Sequence, residues 1–437
     1  MVVAARQHAD PRRPPLMTVL VVGGGGREHA LVWKLSQSPR ITRLLCAPGN
    51  AGTARLAVNL PVKAGDVDRL VTSALRENVD FVVVGPDDPL AAGLVDRLQA
   101  VGIRAFGPTA AAARLESSKS FAKDFMRRHG IPSARSETFC DFSAACSYAS
   151  EQSYPLVVKA DGLALGKGVT IADSYPAAEK ALREALVDDA FGEAGRIVVI
   201  EEFLAGRECS VHALVDGNSW LLFPDARDHK RALDGDLGPN TGGMGTLSPS
   251  GRVDSAMRAR IEKEILEPLL RGLQSDGLVF RGMMFPGLML TSGGPKVLEF
   301  NARFGDPETQ VLLPRLRGDL LDLLEATEAG SLSSVTAQWD PRAACCVVMT
   351  SGGYPGNFRT GLEIDGLEAA TQEGALVFHA GTTTDGAKVL TAGGRVLGVT
   401  ALGDNPAVAV ESAYAAVERI GFEKAAWRTD IGRPDTA

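Results

Sequence analysis

The chain has 437 residues, 45% of them hydrophobic and 23% charged, with a formal net charge of −7. This composition excludes a largely disordered or collagen-like chain, and the length calls for three or four domains at roughly 100 to 200 residues each. The negative balance offers no overall field to hold a nucleic-acid backbone or an anionic bilayer, so any phosphate partner must be gripped locally.

Residues 1–17 place Pro11, Pro14 and Pro15 among charges and read as a flexible extension. They lack the continuous apolar stretch of a secretory signal, and nowhere do roughly 18 uncharged apolar residues run together. A cytoplasmic chain with no membrane span is expected. The six cysteines, at 46, 140, 146, 209, 345 and 346, form no CxxC pair and no zinc-spaced cluster, and read as reduced core thiols.

TVLVV at 18–22 is a β-rich run of the kind covered on both faces, and it ends in Gly23 to Gly26 before a helical stretch from Glu28. Apolar runs at 80–84 and 103–106 alternate with helical patterns at 66–78 and 89–100, which predicts a parallel α/β domain over 18–117. From 155 the texture changes to closely spaced strands, PLVVKAD, GVTIA, RIVVIEEF and ECSVHALVDG, with one helix near 176–188. An amphipathic segment at 252–274 precedes strands GLMLT and KVLEFN and a helix from 318. These predict a mixed α+β region over 118–330 with a mobile lid subdomain at about 136–205. Strand-like CCVVMT, VFHAGT and GRVLGVTAL and a helix at 406–420 predict a small C-terminal domain over 331–437.

Four segments can carry chemistry. GGGGREHA at 23–30 puts bare backbone amides at a helix N-terminus, where a phosphate is favoured; a tight strand-to-helix turn with no ligand is the other reading. It lacks the G-x-G-x-x-G spacing, which removes the main support for nicotinamide chemistry. KADGLALGKGV at 159–169 is one residue short of a Walker A loop and lies between two strands, so it reads as a phosphate-covering lid or as an exposed hairpin. In KVLEFNARFGDPETQ at 296–310 a strand delivers Glu299 and Asn301 to one face, with no obvious cation opposite Glu299 in the sequence. Two oxygen ligands suit magnesium, which takes the rest of its shell from phosphates and water; a solvated strand face is the alternative. DARDHKR at 225–231 leads into GPNTGGMG at 238–245, a charge cluster beside a glycine loop that either binds a substrate or is a solvated turn. His229 reads as a structural histidine rather than a catalyst.

In chain order, GGGGREHALVWKL, APGNAGTA, VVVGPDDPL, SKSFAKDF, VVKADGLALGKGV, IEEFLAGRE, DHKR, GPNTGGMG, LEFNARFGDPETQ, SGGYPG, FHAGT and GGRVLGVTALG resemble the phosphoribosylamine-glycine ligase family of the ATP-grasp superfamily, from about residue 18 onward. The resemblance implies an N-terminal α/β domain, ATP-grasp central domains and a small C-terminal domain. It implies ATP as co-substrate with Mg2+ or Mn2+ held by Glu299 and Asn301. It puts Lys119, Lys159, Gly166, Lys167 and Gly168 on the ATP phosphates, Glu201, Glu202 and Phe203 on the adenine, and Glu208 on the ribose. Gly24, Gly25, Arg27, Glu28, Asp228, Lys230, Asn240, Thr241, Gly242, Gly243, Met244, Arg303, Gly305 and Asp306 fall on the substrate side, with Lys159, Arg303 and Asp228 in catalytic roles. Ser117, Leu165, Arg227 and Pro286 depart from the family pattern, which usually has Gly, Ala, Gln and Ala there.

The reaction so implied joins glycine to 5-phosphoribosylamine through glycyl phosphate, in a monomer that uses no nucleic acid and no membrane. One oxygen of a carboxylate must first be phosphorylated into a good leaving group before an amine can displace it, and such chemistry needs cations and a water-excluding lid rather than a covalent nucleophile. The alternatives are a paralogous ligase with another amino acid or amine, separable by ADP release against a substrate panel, and a nucleotide-binding module without chemistry.

Overall fold

The computed structural model describes residues 16–163 and 168–433. The expected roles of Leu165, Gly166 and Lys167, and residues 1–15 of the expected extension, lie outside the described residues. The first strand begins at Met17, which pairs with Ile41, one residue earlier than expected.

The N-terminal sheet is all parallel and runs, edge to edge, through Val58–Asn59, Ile41–Pro48, Met17–Gly23, Phe81–Val84 and Arg104–Phe106. Along its central strand, Val19 and Val21 pack with Leu31, Leu35 and Val83 on one face, while Leu20 and Val22 pack with Leu70, Leu94 and Leu98 on the other. That two-sided burial is why the strand reads as an unbroken apolar run. Strand order reverses beside Met17–Gly23, and the loop leaving this strand opens at that crevice, where doubly wound sheets place ligands. The helix expected over 89–100 is two, Asp87–Ala91 and Leu94–Ala100, broken at Gly93, whose φ of +80° is left-handed.

A four-stranded antiparallel sheet follows, in the order Ser136–Phe139, Val198–Glu202, Leu156–Ala160, Val169–Ala172. Helices Phe142–Ser150 and Tyr175–Leu186 cover one face, burying Ala145, Leu156, Val158, Leu182 and Ile200. The larger central sheet is built on the long hairpin of Gly282–Thr291 and Gly294–Asn301, flanked by Arg207–Ser210 and Ala213–Val215. Helices Lys119–His129 and Glu267–Ser275 bury Phe125, Met126, Leu269 and Leu273 against it.

The C-terminal sheet is not confined to residues beyond 331. Its order is Arg227–Asp228, Gly245–Ser248, Ala343–Thr350, Arg395–Gly403, Leu376–His379, so two strands come from the segment expected to belong wholly to the central region. Gly245–Ser248 pairs with Ala343–Thr350 across a sequence gap of about one hundred residues, which hydrophobic period cannot reveal. The consequence is functional: the DHKR and GPNTGGMG motifs are the place where the central and C-terminal sheets are sewn together.

Candidate active site

A cleft of about 1660 Å³ opens between the four-stranded sheet, the central hairpin and the C-terminal sheet. At one end its wall is apolar, with Val157, Ile171, Phe203, Leu204, Met289 and Leu298 facing the opening. Ile171 and Phe203 remain 51% and 41% exposed, large apolar side chains lining an open apolar slot.

Beyond the slot stand three lysines. Lys159, from strand Leu156–Ala160, donates to the Leu298 carbonyl at 3.1 Å and sits 3.0 Å from Glu201 Oε1. Lys123 holds the other oxygen of that carboxylate at 3.1 Å. The Glu201 side chain, expected at the adenine, is thus taken up by two ammonium groups, and Glu202 is tied to Arg135 and Lys296. Lys119 opens its helix behind Ser118, whose hydroxyl caps the Phe121 amide, and donates to the Gly162 carbonyl at 3.0 Å. Burial lowers the pKa of both Lys119 and Lys123.

Strand Gly294–Asn301 delivers Glu299 and Asn301 into the same cleft, as their two-residue spacing requires. Glu299 does have cations opposite: Lys230 Nζ lies 3.7 Å from its Oε1. Burial works against ionisation, but Lys230, Lys159, Lys119 and Arg303 outweigh it and hold Glu299 down at about 2. Asn301 Oδ1 accepts one bond from Arg303 at 3.0 Å, and its second lone pair stays available. An ionised carboxylate and an amide oxygen, both hard donors on one cleft wall, fit a magnesium-like cation that completes its shell from phosphates. Among the described residues no group of three or more His, Cys, Asp or Glu side chains forms a self-sufficient metal cage.

The far end is zwitterionic. Arg303 pairs with Glu116 at 3.0 Å and lies over the Phe285 ring. Burial pushes Glu116 up to about 7 although Arg303 pulls the other way. Arg395 reaches from the C-terminal sheet to Asp306 Oδ2 at 2.9 Å, and also donates to the Gly242 carbonyl. Burial raises the carboxyls of both Asp228 and Glu308, with the charge of Glu308 adding to the rise at Asp228 and that of Asp306 to the rise at Glu308. Gly243, at φ +110°, lets the glycine loop pass where a Cβ would come within 2.7 Å of Asp228 Oδ1.

Of the residues expected here, Arg27, Lys119, Lys159, Gly168, Glu201, Glu202, Phe203, Glu208, Asp228, Lys230, Asn240, Thr241, Gly242, Glu299, Asn301, Arg303 and Asp306 line the cleft. Others do not. Glu28, 2% exposed, accepts the Gly25 amide at 2.7 Å and so builds the turn itself. Gly24 packs on the Gly49 carbonyl, Gly305 packs on Glu308 and His212, and Met244 is a core residue of the C-terminal sheet. His229 is structural: its Nδ1 lies 3.1 Å from the Gly245 carbonyl oxygen and its Nε2 accepts the Gly432 amide. Lys123, Glu116 and Arg395 were missed, and Glu308, in the polar string beside Gly305, was given no role. SKSFAKDF, NARFGDPETQ and GGRVLGVTALG contain or adjoin all four, but no spacing within a string says which of its side chains turns into the cleft.

Residues 17–116 match the N domain of phosphoribosylglycinamide synthetase, residues 117–309 its ATP-grasp (A) domain and residues 344–434 its C domain. The phosphoribosylamine–glycine ligase of Xylella fastidiosa is 52% identical over 420 residues, covering 95% of this chain and 96% of that one. The chain belongs to the phosphoribosylglycinamide synthetase family. Within this synthetase family the crystal structure of the Thermotoga maritima phosphoribosylamine–glycine ligase superposes with a TM-score of 0.85 at 34% identity, covering 95% of this chain and 100% of that chain. The trifunctional purine biosynthetic protein adenosine-3 of Gallus gallus is 49% identical over 95% of this chain, which spans 42% of that longer protein. A biotin carboxylase from Campylobacter jejuni shares the fold alone, with a TM-score of 0.72 at 15% identity over 94% of this chain and 93% of that chain. The synthetase fold therefore puts the three-lysine wall and the Glu299–Asn301 strand on the ATP-grasp domain, and Arg395 on the C domain.

Proposed function

We infer that this synthetase-family chain joins glycine to 5-phosphoribosylamine at the expense of ATP, giving glycinamide ribonucleotide, ADP and phosphate for purine biosynthesis. The observation that carries the reading is the ring of Lys119, Lys159, Lys230 and Arg303 around the ionised Glu299. Such a ring suits a triphosphate and a transferring phosphoryl group far better than a neutral ligand.

The base of ATP fits the slot between Ile171 and Phe203, with the ribose toward Glu208 and the phosphates toward Lys119 and Lys159. A divalent cation, Mg2+ or Mn2+, would be held by Glu299 and Asn301, and when bound it neutralises phosphate charge. Glu201, locked between Lys123 and Lys159, keeps Lys159 extended toward the phosphates. Glycine's carboxylate oxygen attacks the γ-phosphorus and the bond to ADP breaks; Arg303, anchored by Glu116, faces the charge that develops. The amine nitrogen then attacks the carbonyl carbon of glycyl phosphate, phosphate leaves, and the nitrogen's proton passes to Asp228, whose raised pKa suits a proton acceptor. Lys230 and the 240–243 loop hold the acceptor, while closure of the four-stranded sheet excludes water from the acyl phosphate.

Phosphate release with glycine and phosphoribosylamine supplied together and separately tests the reading. Release that needs both supports it, and release indifferent to the amine overturns it. A monomer in the cytoplasm belongs to the same proposal; all six cysteines are free, and no helix among the described residues is long and apolar enough to cross a membrane. Sedimentation at assay concentration checks the monomer.

A further inference from the structure

The hairpin at 231–240 has almost no core of its own. Among the described residues its strands Arg231–Leu233 and Leu237–Asn240 pair only with each other, and Leu233 and Leu237 are 58% and 64% exposed. An isolated two-stranded ribbon is marginal in water. Yet Lys230 and Asn240, at its two ends, both line the cleft, and Lys230 faces Glu299.

What steadies the ribbon arrives from nearly two hundred residues further along. Arg428, 2% exposed, donates Nη1 to Asp236 Oδ1 at 2.8 Å and to the Arg231 carbonyl at 3.1 Å. Its Nε and Nη2 grip the two oxygens of Asp430, each at 2.7 Å. The Thr429 amide donates to Asp234 Oδ1, and the Gly235 amide to Asp430 Oδ2, each at 2.8 Å. This tail is in turn fixed to helix Pro406–Val417, because the Tyr414 hydroxyl donates to the Arg428 carbonyl at 2.7 Å and accepts the Ile431 amide at 2.9 Å.

The anchoring reaches the cleft within one peptide unit. The Thr241 amide and hydroxyl both donate to the Lys230 carbonyl at 2.8 Å, and the next carbonyl, that of Arg231, belongs to Arg428. Two successive carbonyls are thereby held. A planar guanidinium that bonds a carboxylate through two parallel N–H groups and still has a third donor for the ribbon fixes orientation in a way an ammonium cannot.

We propose that Arg428 is a positioning residue for the ligation: it straps hairpin 231–240 to the C-terminal body and so keeps Lys230 seated opposite Glu299. The proposal rests on the reading of Lys230 and Glu299 as substrate-site groups given above.

The full-length variants Asp236→Asn, which alters only an exposed carboxylate, and Arg428→Lys test it by amide hydrogen exchange and steady-state kinetics. Hairpin amides in both should exchange about tenfold faster, the size expected for a lost charge-assisted hydrogen bond, while those of strand Ala343–Thr350 keep their rates. Turnover should fall by about five- to tenfold with the KM for ATP within about twofold, and millimolar guanidinium should restore part of the loss in Arg428→Ala. Unchanged hairpin exchange in both variants overturns the strap, as does faster exchange with turnover unmoved. If the unaltered chain itself needs no amine for phosphate release, the functional reading fails, and the exchange rates alone decide the strap.

Discussion

Lys230 Nζ stands 3.7 Å from Glu299 Oε1, beyond a good hydrogen bond yet close enough for each charge to fix the other. Lys230 is raised above the ordinary lysine value, because Glu299, Glu208, Asp228 and Glu308 together overcome its burial. The pair is therefore charged throughout the neutral range, and the carboxylate keeps its lone pairs for another cation.

Glu299→Gln should lower turnover by about 10²- to 10³-fold, because the neutral amide no longer offers a charged oxygen ligand. The side chain is only half-buried on the cleft wall, so the melting temperature should move little. Adding back Mg2+ or Mn2+ to chelator-treated protein should restore the original chain and not the variant. Wild-type turnover in the variant refutes the assignment.

Glu201 lies between two ammonium groups and is 3% exposed, so Glu201→Gln strands two buried cations. Breaking one partner of a buried pair costs about 3 kcal/mol, which predicts a melting temperature several degrees lower. Because ATP phosphates supply replacement charge, saturating ATP should raise the melting temperature more in the variant than in the original chain. A thermal-shift series with and without nucleotide checks both.

His212 is completely buried, stacks on Phe285 with ring centroids 4.2 Å apart, and has no hydrogen-bond partner for either ring nitrogen among the described residues. An unsatisfied buried polar atom costs about 1–3 kcal/mol, so His212→Phe should stabilise the chain by an amount of that order while leaving ATP affinity unchanged. Denaturant titration at pH 7.5 measures it, and a loss of stability would mean that the nitrogens hold a partner.

Acid stability follows from four buried histidines. Burial lowers His29 and His212 to about 3 and His229 and His379 to about 4, while unfolding returns each to its ordinary 6.5. A histidine depressed in this way stabilises the fold fully above pH 6.5 and loses that contribution as the pH falls toward the folded value. Each adds a slope of about 1.4 kcal/mol per pH unit below 6.5. The melting temperature should hold between pH 7 and 8 and drop steeply from pH 6.5 to 4.5. His212→Phe should make that drop shallower by one proton's worth.

Periodicity and local chemistry determined a good deal by themselves. The two-sided burial of residues 18–22, the shared face of Glu299 and Asn301 and the glycine turn at 23–26 follow from spacing alone, because each is a relation within one element. The motif series and its order carried the family.

Only the tertiary structure decided which of those residues look into the cleft. Met244 sits in the same glycine-rich string as Thr241 and Gly242 yet points into the core of the C-terminal sheet, and Glu28 turns back to cap Gly25. Lys230 faces Glu299, Arg395 holds Asp306, and Arg428 reaches Asp236 across 192 residues. A period of 2 or 3.6 says which residues share a face; it carries no information about which distant element packs against that face, and there the long-range charges find their partners.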